Sequence, residues 1–257
     1  MAHSTRGNYK LFIMLLSLLA LGGCATTQGP GGDTNDPLEP GNRFFYGVNE
    51  TLDGAFVKPL AEFYVYATPE PVRESVNNLF GNLGYINVIL NSFLQGKADD
   101  GWSDTARFLV NSTLGIGGLF DVATDMGLPS RQEDFGQTLA VWGSGEGAYM
   151  YLPIWGPTTV RDAPGIAVST VTNPLFYLTG AALYPVTALG IINTRANVLE
   201  ATRLRDEAAL DAYVFTREAY LQRRNYLIFD GNPPADGYDD IFNFDSGEGN
   251  GDMLRVQ

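Results

Sequence analysis

Between Ala163 and Thr194 the chain carries no charged residue, and prolines at positions 164, 174 and 185 divide the stretch. An uncharged run of that length would suit a membrane span, which needs about 20 consecutive apolar residues. Proline lacks the amide proton and clashes with the preceding turn, so no unbroken helix is expected through all three. The piece between Pro174 and Pro185, Leu175 to Tyr184 (LFYLTGAALY), has ten residues. At 1.5 Å per residue it reaches ~15 Å, about half the ~30 Å hydrocarbon thickness. It is therefore not a span, and fits a segment buried in one leaflet or in an ordinary protein core.

A second stretch, Ser75 to Gly96, is also free of charge. On a helical wheel Ile86, Ile89, Leu90, Phe93 and Leu94 form one arc, and Asn87, Asn91, Ser92 and Gln95 the other. Two readings stand side by side. Such a helix can lie between hydrocarbon and an interior passage, where charge would be costly and amides can pair with one another or with headgroups. It can equally be a core helix whose amides cap neighbouring loops.

Elsewhere the apolar residues recur at helical spacing: Phe44, Phe45, Val48 and Leu52, then Val72, Val76, Leu79, Phe80 and Leu83. Pro59 and Pro71 suit first-turn positions. Tyr213, Arg217, Tyr220, Arg224 and Leu227 mark a carboxyl-terminal helix with Asp211 as its cap, on which Glu218 can pair with arginines a turn or more away. Strand signals are scarce; the best is Ala148 to Leu152, beside glycines 143, 145 and 147. The expected class is all-α, built of short amphipathic helices with at most one short β-hairpin.

Arg6 and Lys10 precede an apolar run, Leu11 to Leu21, that is too short for a span and matches a signal-peptide core. The run ends in Leu21-Gly22-Gly23-Cys24, which resembles the bacterial lipobox, so Cys24 is the expected lipidation site. Ala25 is not the aspartate that retains such lipoproteins at the inner membrane, and by that sorting rule the outer membrane is the destination. Residues 1–23 are thus a signal peptide, 24–35 a lipidated tether, 36–229 a helical domain and 230–257 an acidic tail. Cys24 is the only cysteine and His3 the only histidine. Cleavage before Cys24 leaves a mature chain without histidine, which excludes Ser-His-Asp, Cys-His and Cys/His zinc chemistry. Loss of Arg6 and Lys10 moves the net charge from −13 to roughly −15. A chain so acidic is a poor partner for nucleic acid.

Motifs that could carry chemistry are weak. Leu114 to Asp121 (LGIGGLFD) lacks the register, strand and lysine of a phosphate loop and reads as a close-packed helical turn. Asp99, Asp100 and Asp104 lack an EF-hand spacing and read as a solvated loop and helix start. No catalytic residue, metal site or cofactor is expected. Plentiful acids leave a carboxylate-pair hydrolase open, without singling out two residues.

Asp36-Pro37-Leu38-Glu39 with Asn42-Arg43 resembles the opening of the MlaA (VacJ) lipoproteins. The resemblance continues through Asn91-Ser92-Phe93-Leu94-Gln95-Gly96, Arg107 to Gly115, Gly117 to Ala123, Phe135 to Leu139, Thr159 to Asp162, Glu218-Ala219-Tyr220 and Gln222-Arg223. It departs at Pro40-Gly41, where relatives often have an aromatic residue beside the glycine. The resemblance implies a ring-shaped helical lipoprotein in the inner leaflet of the outer membrane, with an amphipathic channel. Such proteins draw mislocalised phospholipid from the outer leaflet and pass it to a periplasmic lipid carrier, and they sit against trimeric porins. It implies that Asn42, Phe44 and Phe45 lie in a segment controlling opening. Asn87 and Asn91 would ease the headgroup, and Gly143, Gly145 and Gly147 would hinge a hairpin beside the channel. The alternative is a structural, porin-associated lipoprotein without a channel. The tail is read as disordered, with Tyr238 to Phe244 as an alternative docking segment for the carrier.

Overall fold

The computed structural model describes residues 36–181 and 183–234. Cys24, the tether and the tail from residue 235 lie outside them. Helix α1 spans Glu39–Leu52 and runs through a π-helical turn, Asp53–Val57, into α2, Lys58–Ala67. Helix α3, Glu70–Leu94, is followed by α4, Ala98–Thr113, and the short α5 and α6, Val122–Asp125 and Phe135–Val141. Strands β1, Tyr149–Leu152, and β2, Gly156–Thr159, precede α7, Ala163–Thr172, and a 3-10 turn, Pro174–Tyr177. Helices α8, Leu183–Asn197, α9, Leu199–Ala208, and α10, Ala212–Ile228, complete the chain.

The local causes are those of the sequence. Pro40, Pro59, Pro71 and Pro164 occupy first-turn positions of α1, α2, α3 and α7, where a missing N–H goes unnoticed. Asp211 caps α10 by accepting from the amides of Tyr213 and Val214. The hairpin is antiparallel, with Tyr149 opposite Thr159 and Leu152 opposite Gly156. Ile154 in its turn adopts φ +72°. Leu114–Asp121 is the close-packed turn expected: a Cβ on Gly118 would lie 2.5 Å from that of Asn82, and its φ is +97°.

Helix α3 is the longest among the described residues, with 25 residues. Two expectations about the uncharged stretch are corrected. Leu175 to Tyr184 is not one helical piece: the 3-10 turn ends at Tyr177, and Gly180 at φ +85° precedes α8. Pro185 does not divide the chain, because it falls in the first turn of α8. Among the described residues, no helix is long and apolar enough to cross a membrane. Glycines 143, 145 and 147 lie outside the hairpin turn, in the link between α6 and β1. Gly147, at φ +70°, packs against Val160.

Packing closes a circuit. Helix α1 lies on β1, β2 on α10, and α10 on α6; α6 and α7 pack together against α3. Helix α3 then meets α8, α8 meets α2, and α2 returns to α1 through the π-helical turn. The polarity of this circuit is inverted. Among the described residues, Ala61, Tyr85, Ala123, Tyr149, Tyr151 and Tyr213 are the buried hydrophobic ones. No Leu, Ile, Val or Phe is among them. Asn, Asp, Arg, Thr and Gln fill the interior, while Phe44, Phe56, Phe63, Tyr66, Leu109 and Phe176 face outward. Water-soluble domains bury Leu, Ile, Val and Phe first.

Candidate functional site: a polar cavity along helix α3

A polar interior is stable only if its groups are paired, and here they are paired through five carboxylates arranged in four nodes. Asp36, from the Asp36-Pro37-Leu38-Glu39 segment, is buried. It accepts from Asn42 Nδ2 at 2.7 Å, from the Tyr213 hydroxyl, and from Arg217 at 3.5 Å. The Asn42 amide also donates to the Tyr149 carbonyl at 3.1 Å and accepts from the Tyr151 amide at 2.8 Å. Two turns on, Asn49 repeats the pattern with the Leu152 carbonyl and the Ile154 amide. The two asparagines share a face of α1 and stand in for a third strand beside β1.

Asp104 is fully buried. It accepts from Ser92 at 2.8 Å, Tyr85 at 3.0 Å and Arg131 at 3.2 Å. Its expected place in a solvated helix start is therefore corrected: the register of α4 turns it inward, against α3. Burial, with the Asp104 carboxylate adding to it, pushes the Tyr85 hydroxyl up to about 12. Asp121 accepts from Arg107, Asn111 and Thr124, joining α4 to α5.

The fourth node couples three elements. Arg224 of α10 binds both oxygens of Asp134 and also Asp162. Asp162 accepts in addition from Arg161 and Tyr220, each at 2.9 Å. Burial alone would raise both carboxyls, but the arginine bonds and charge outweigh it and hold Asp134 and Asp162 below the usual range. Gly136 lets the pair form: a Cβ there would lie 2.4 Å from Asp162 Oδ1 and 2.7 Å from the Arg224 guanidinium. The expected pairing of Glu218 across a helical turn is corrected; it binds its neighbour Arg217 at 2.8 Å, because Arg223 and Arg224 turn to Gln132 and Asp134.

Inside the framework is a cavity of about 630 Å³. Its wall is one face of α3 (Asn77, Asn78, Phe80, Gly81, Asn82, Gly84, Tyr85 and Val88) with Arg131, Gln132 and Glu133 and, from α10, Arg223. Gly81 and Gly84 face open space, so their missing side chains add to its width. The residues expected to serve the passage are distributed differently. Asn91 is fully buried, its amide shared among Asn87 and Thr138, and does not line this cavity. Asn87 donates to the Glu133 carbonyl at 3.4 Å, and it too lies outside the lining. Gln95 joins Glu133 and Thr138. On this part of α3 the amides cap neighbouring loops, and the lining starts further towards its amino terminus. Asn42 is an internal tie; Phe44 is 66% exposed and stacks edge-on with Phe45.

Sequence reasoning thus found the helix and not the turns. The Asn77-Asn78 and Asn82 amides, spaced among glycines, were the available signal. Asp36 and Gly136 stood out only as parts of motifs and Asp104 only as one of three acids, and Asn49 gave no signal, since a short-range pattern does not show what a side chain meets across the fold.

The comparisons agree with this geometry. The family model described as MlaA lipoprotein matches residues 34–227. The intermembrane phospholipid transport system lipoprotein MlaA of Shigella flexneri is 36% identical over 248 residues, 90% of this chain and 98% of that protein. The Escherichia coli protein of the same name shows the same identity and coverage. An uncharacterized protein of Rickettsia bellii is 40% identical over 75% of this chain and 76% of its own. A solved chain, from work on the structural basis for maintenance of bacterial outer membrane lipid asymmetry, superimposes with a TM-score of 0.65. That chain is 34% identical, and the match covers 75% of this chain and 98% of it. With the family model matching residues 34–227 and relatives 36% identical over 90% of its length, the chain belongs to the MlaA lipoprotein family.

Proposed function

We propose that this chain is an outer-membrane lipoprotein of a Gram-negative bacterium that carries phospholipid in transit between membranes and so maintains outer-membrane lipid asymmetry. No bond is made or broken. The observation that carries the reading is the inverted polarity: a closed circuit of helices with apolar side chains outside and a polar cavity of about 630 Å³ inside. The outer surface suits hydrocarbon. The cavity suits a headgroup, which loses less on leaving water when amides and guanidinium groups replace its hydration.

All three tryptophans, Trp102, Trp142 and Trp155, are more than half exposed. Tryptophan collects at the boundary between hydrocarbon and water, which supports a protein seated in one leaflet. Acylation of Cys24 would anchor it from the periplasmic side. The finer assignments follow the family: removal of phospholipid from the outer leaflet, a trimeric porin beside the protein, and a periplasmic carrier that receives the lipid. Opening is assigned to the Phe44-Phe45 segment and hinging to the Gly143–Gly147 link. Phe44 supports the first by lying outside the packed interior, and the glycine link supports the second by joining α6 to the hairpin.

The test is complementation. A strain lacking the chain should expose phospholipid on its surface and become detergent-sensitive. The wild-type chain should restore it, and Gly84→Phe, which fills the cavity from α3, should not. Normal asymmetry in the deletion strain would overturn the reading.

A further inference from the structure

The ion pairs leave few cations free. Among the described residues only Lys58, Arg73 and Arg223 have no carboxylate within ion-pair distance. Lys58 lines neither cavity, whereas the two arginines each line one. Arg223 borders the larger cavity and donates to Gln132 Oε1 at 2.9 Å. The other arginines there are neutralised: Arg107 by Asp121, Arg131 by Asp100 and Asp104, and Arg224 by Asp134 and Asp162. The cavity acid Glu133 is bound to Lys97.

Arg73 lies in a smaller cavity of about 220 Å³ between α2, α3 and α8. Its Nε is buried and has no hydrogen-bond partner. Asn77, one turn further along α3, lines both cavities. The Asn77 Oδ1 accepts from Asn197 at 2.7 Å and Asn193 at 3.4 Å, while its Nδ2 donates to no described residue. The two cavities along α3 therefore offer an unspent Asn77 donor and two guanidinium groups without a carboxylate partner, Arg73 on α3 and Arg223 on α10, in a chain of net charge −13. Guanidinium matches the paired oxygens of a phosphate with two parallel bonds.

We propose that Arg73 and Arg223 are two successive stations for the phosphate of a phospholipid moving along α3, an inference that rests on the transport reading above. From Arg73 to Val88 the track is ~22 Å at 1.5 Å per residue, comparable with one leaflet and its headgroup layer. Glu70 and Glu74 also line the smaller cavity without pairing with Arg73. Their charge keeps phosphate from being trapped there, since conduction needs sites weak enough to leave. The recognised chemistry is the phosphate itself, so lipids with different headgroup alcohols should be accepted alike.

The experiment is equilibrium binding to the full-length chain in detergent micelles. The probes are phosphatidylethanolamine, phosphatidylglycerol, diacylglycerol with the same chains, and inorganic phosphate. Wild type should bind both phospholipids similarly and diacylglycerol poorly. Arg73→Gln and Arg223→Gln should each weaken both phospholipids about tenfold, the size of one lost charged hydrogen bond, with Lys at either position restoring part. Thermal melting should be unchanged, since neither substitution orphans a carboxylate. Equal phospholipid binding by wild type and both Gln variants overturns the proposal and leaves the transport reading standing. Arginine-dependent binding of inorganic phosphate without phospholipid overturns the lipid as the source of the anion. If wild type binds no lipid at all, both the proposal and the reading beneath it fall.

Discussion

At the scale of single residues, stability rests on a few buried amides and carboxylates. Asn42 makes three interior bonds that join the chain's Asp36 segment to the hairpin. Asn42→Ala should lower unfolding free energy by about 2–4 kcal/mol, because a buried carboxylate oxygen and the Tyr151 amide lose their partner. Chemical denaturation in detergent checks it. Gly136→Ala should cost about 3 kcal/mol, since the added methyl group must displace the Asp162–Arg224 pair. The same node sets an acid limit. Asp134 and Asp162 have folded values depressed below the ordinary 3.8. Their contribution is complete above that value and is lost as pH falls through the lower folded values. Melting temperature should be flat from neutral pH to about pH 5 and fall below pH 4, and Asp134→Asn should flatten that decline.

At the scale of elements, α3 separates two tasks along one helix. Its carboxyl-terminal half, from Asn87 to Gln95, is spent on internal bonds, and the stretch from Asn77 to Gly84 faces the cavity. Glycine in a helix interior is unfavourable by about 1 kcal/mol relative to alanine. Gly81 and Gly84 have no neighbour to clash with an added Cβ. Gly84→Leu should therefore raise thermal stability, by up to ~1 kcal/mol, while slowing lipid transfer. A variant that is both stabler and fully active would remove Gly84 from the passage. The starts of α2, α3 and α10 were legible, because proline at a first turn, aspartate at a cap and apolar spacing act locally. Pro185 was misjudged for the same reason: whether a proline breaks a helix or starts one depends on where the helix begins, and Gly180 settles that here.

At the scale of the molecule, the apolar exterior is the feature that interacts with the surroundings. Reconstituted into vesicles, the protein should show tryptophan emission shifted to the blue and quenched by brominated acyl chains, with Trp102, Trp142 and Trp155 at the boundary. Emission typical of water, insensitive to bromine, would remove the protein from the leaflet. Replacing Phe56 and Phe63 by glutamate should weaken insertion more than tenfold, each phenylalanine being worth about 2 kcal/mol before the charge is counted.

The sequence by itself determined that the chain is helical, that its uncharged stretches are too broken to span a bilayer, and that its motifs are those of the MlaA lipoproteins. It also located the hairpin and the α10 cap. Only the tertiary structure decided which face of each helix points inward. Periodicity measures the contrast between two faces, and that contrast is the same for a helix with a hydrophobic core behind it as for one with lipid in front. The direction is fixed by what each side chain meets. Asp36, Asp104, Asp134 and Asp162 meet arginines, tyrosines and amides from distant segments, so the polar faces turned in and the apolar faces were left to the membrane.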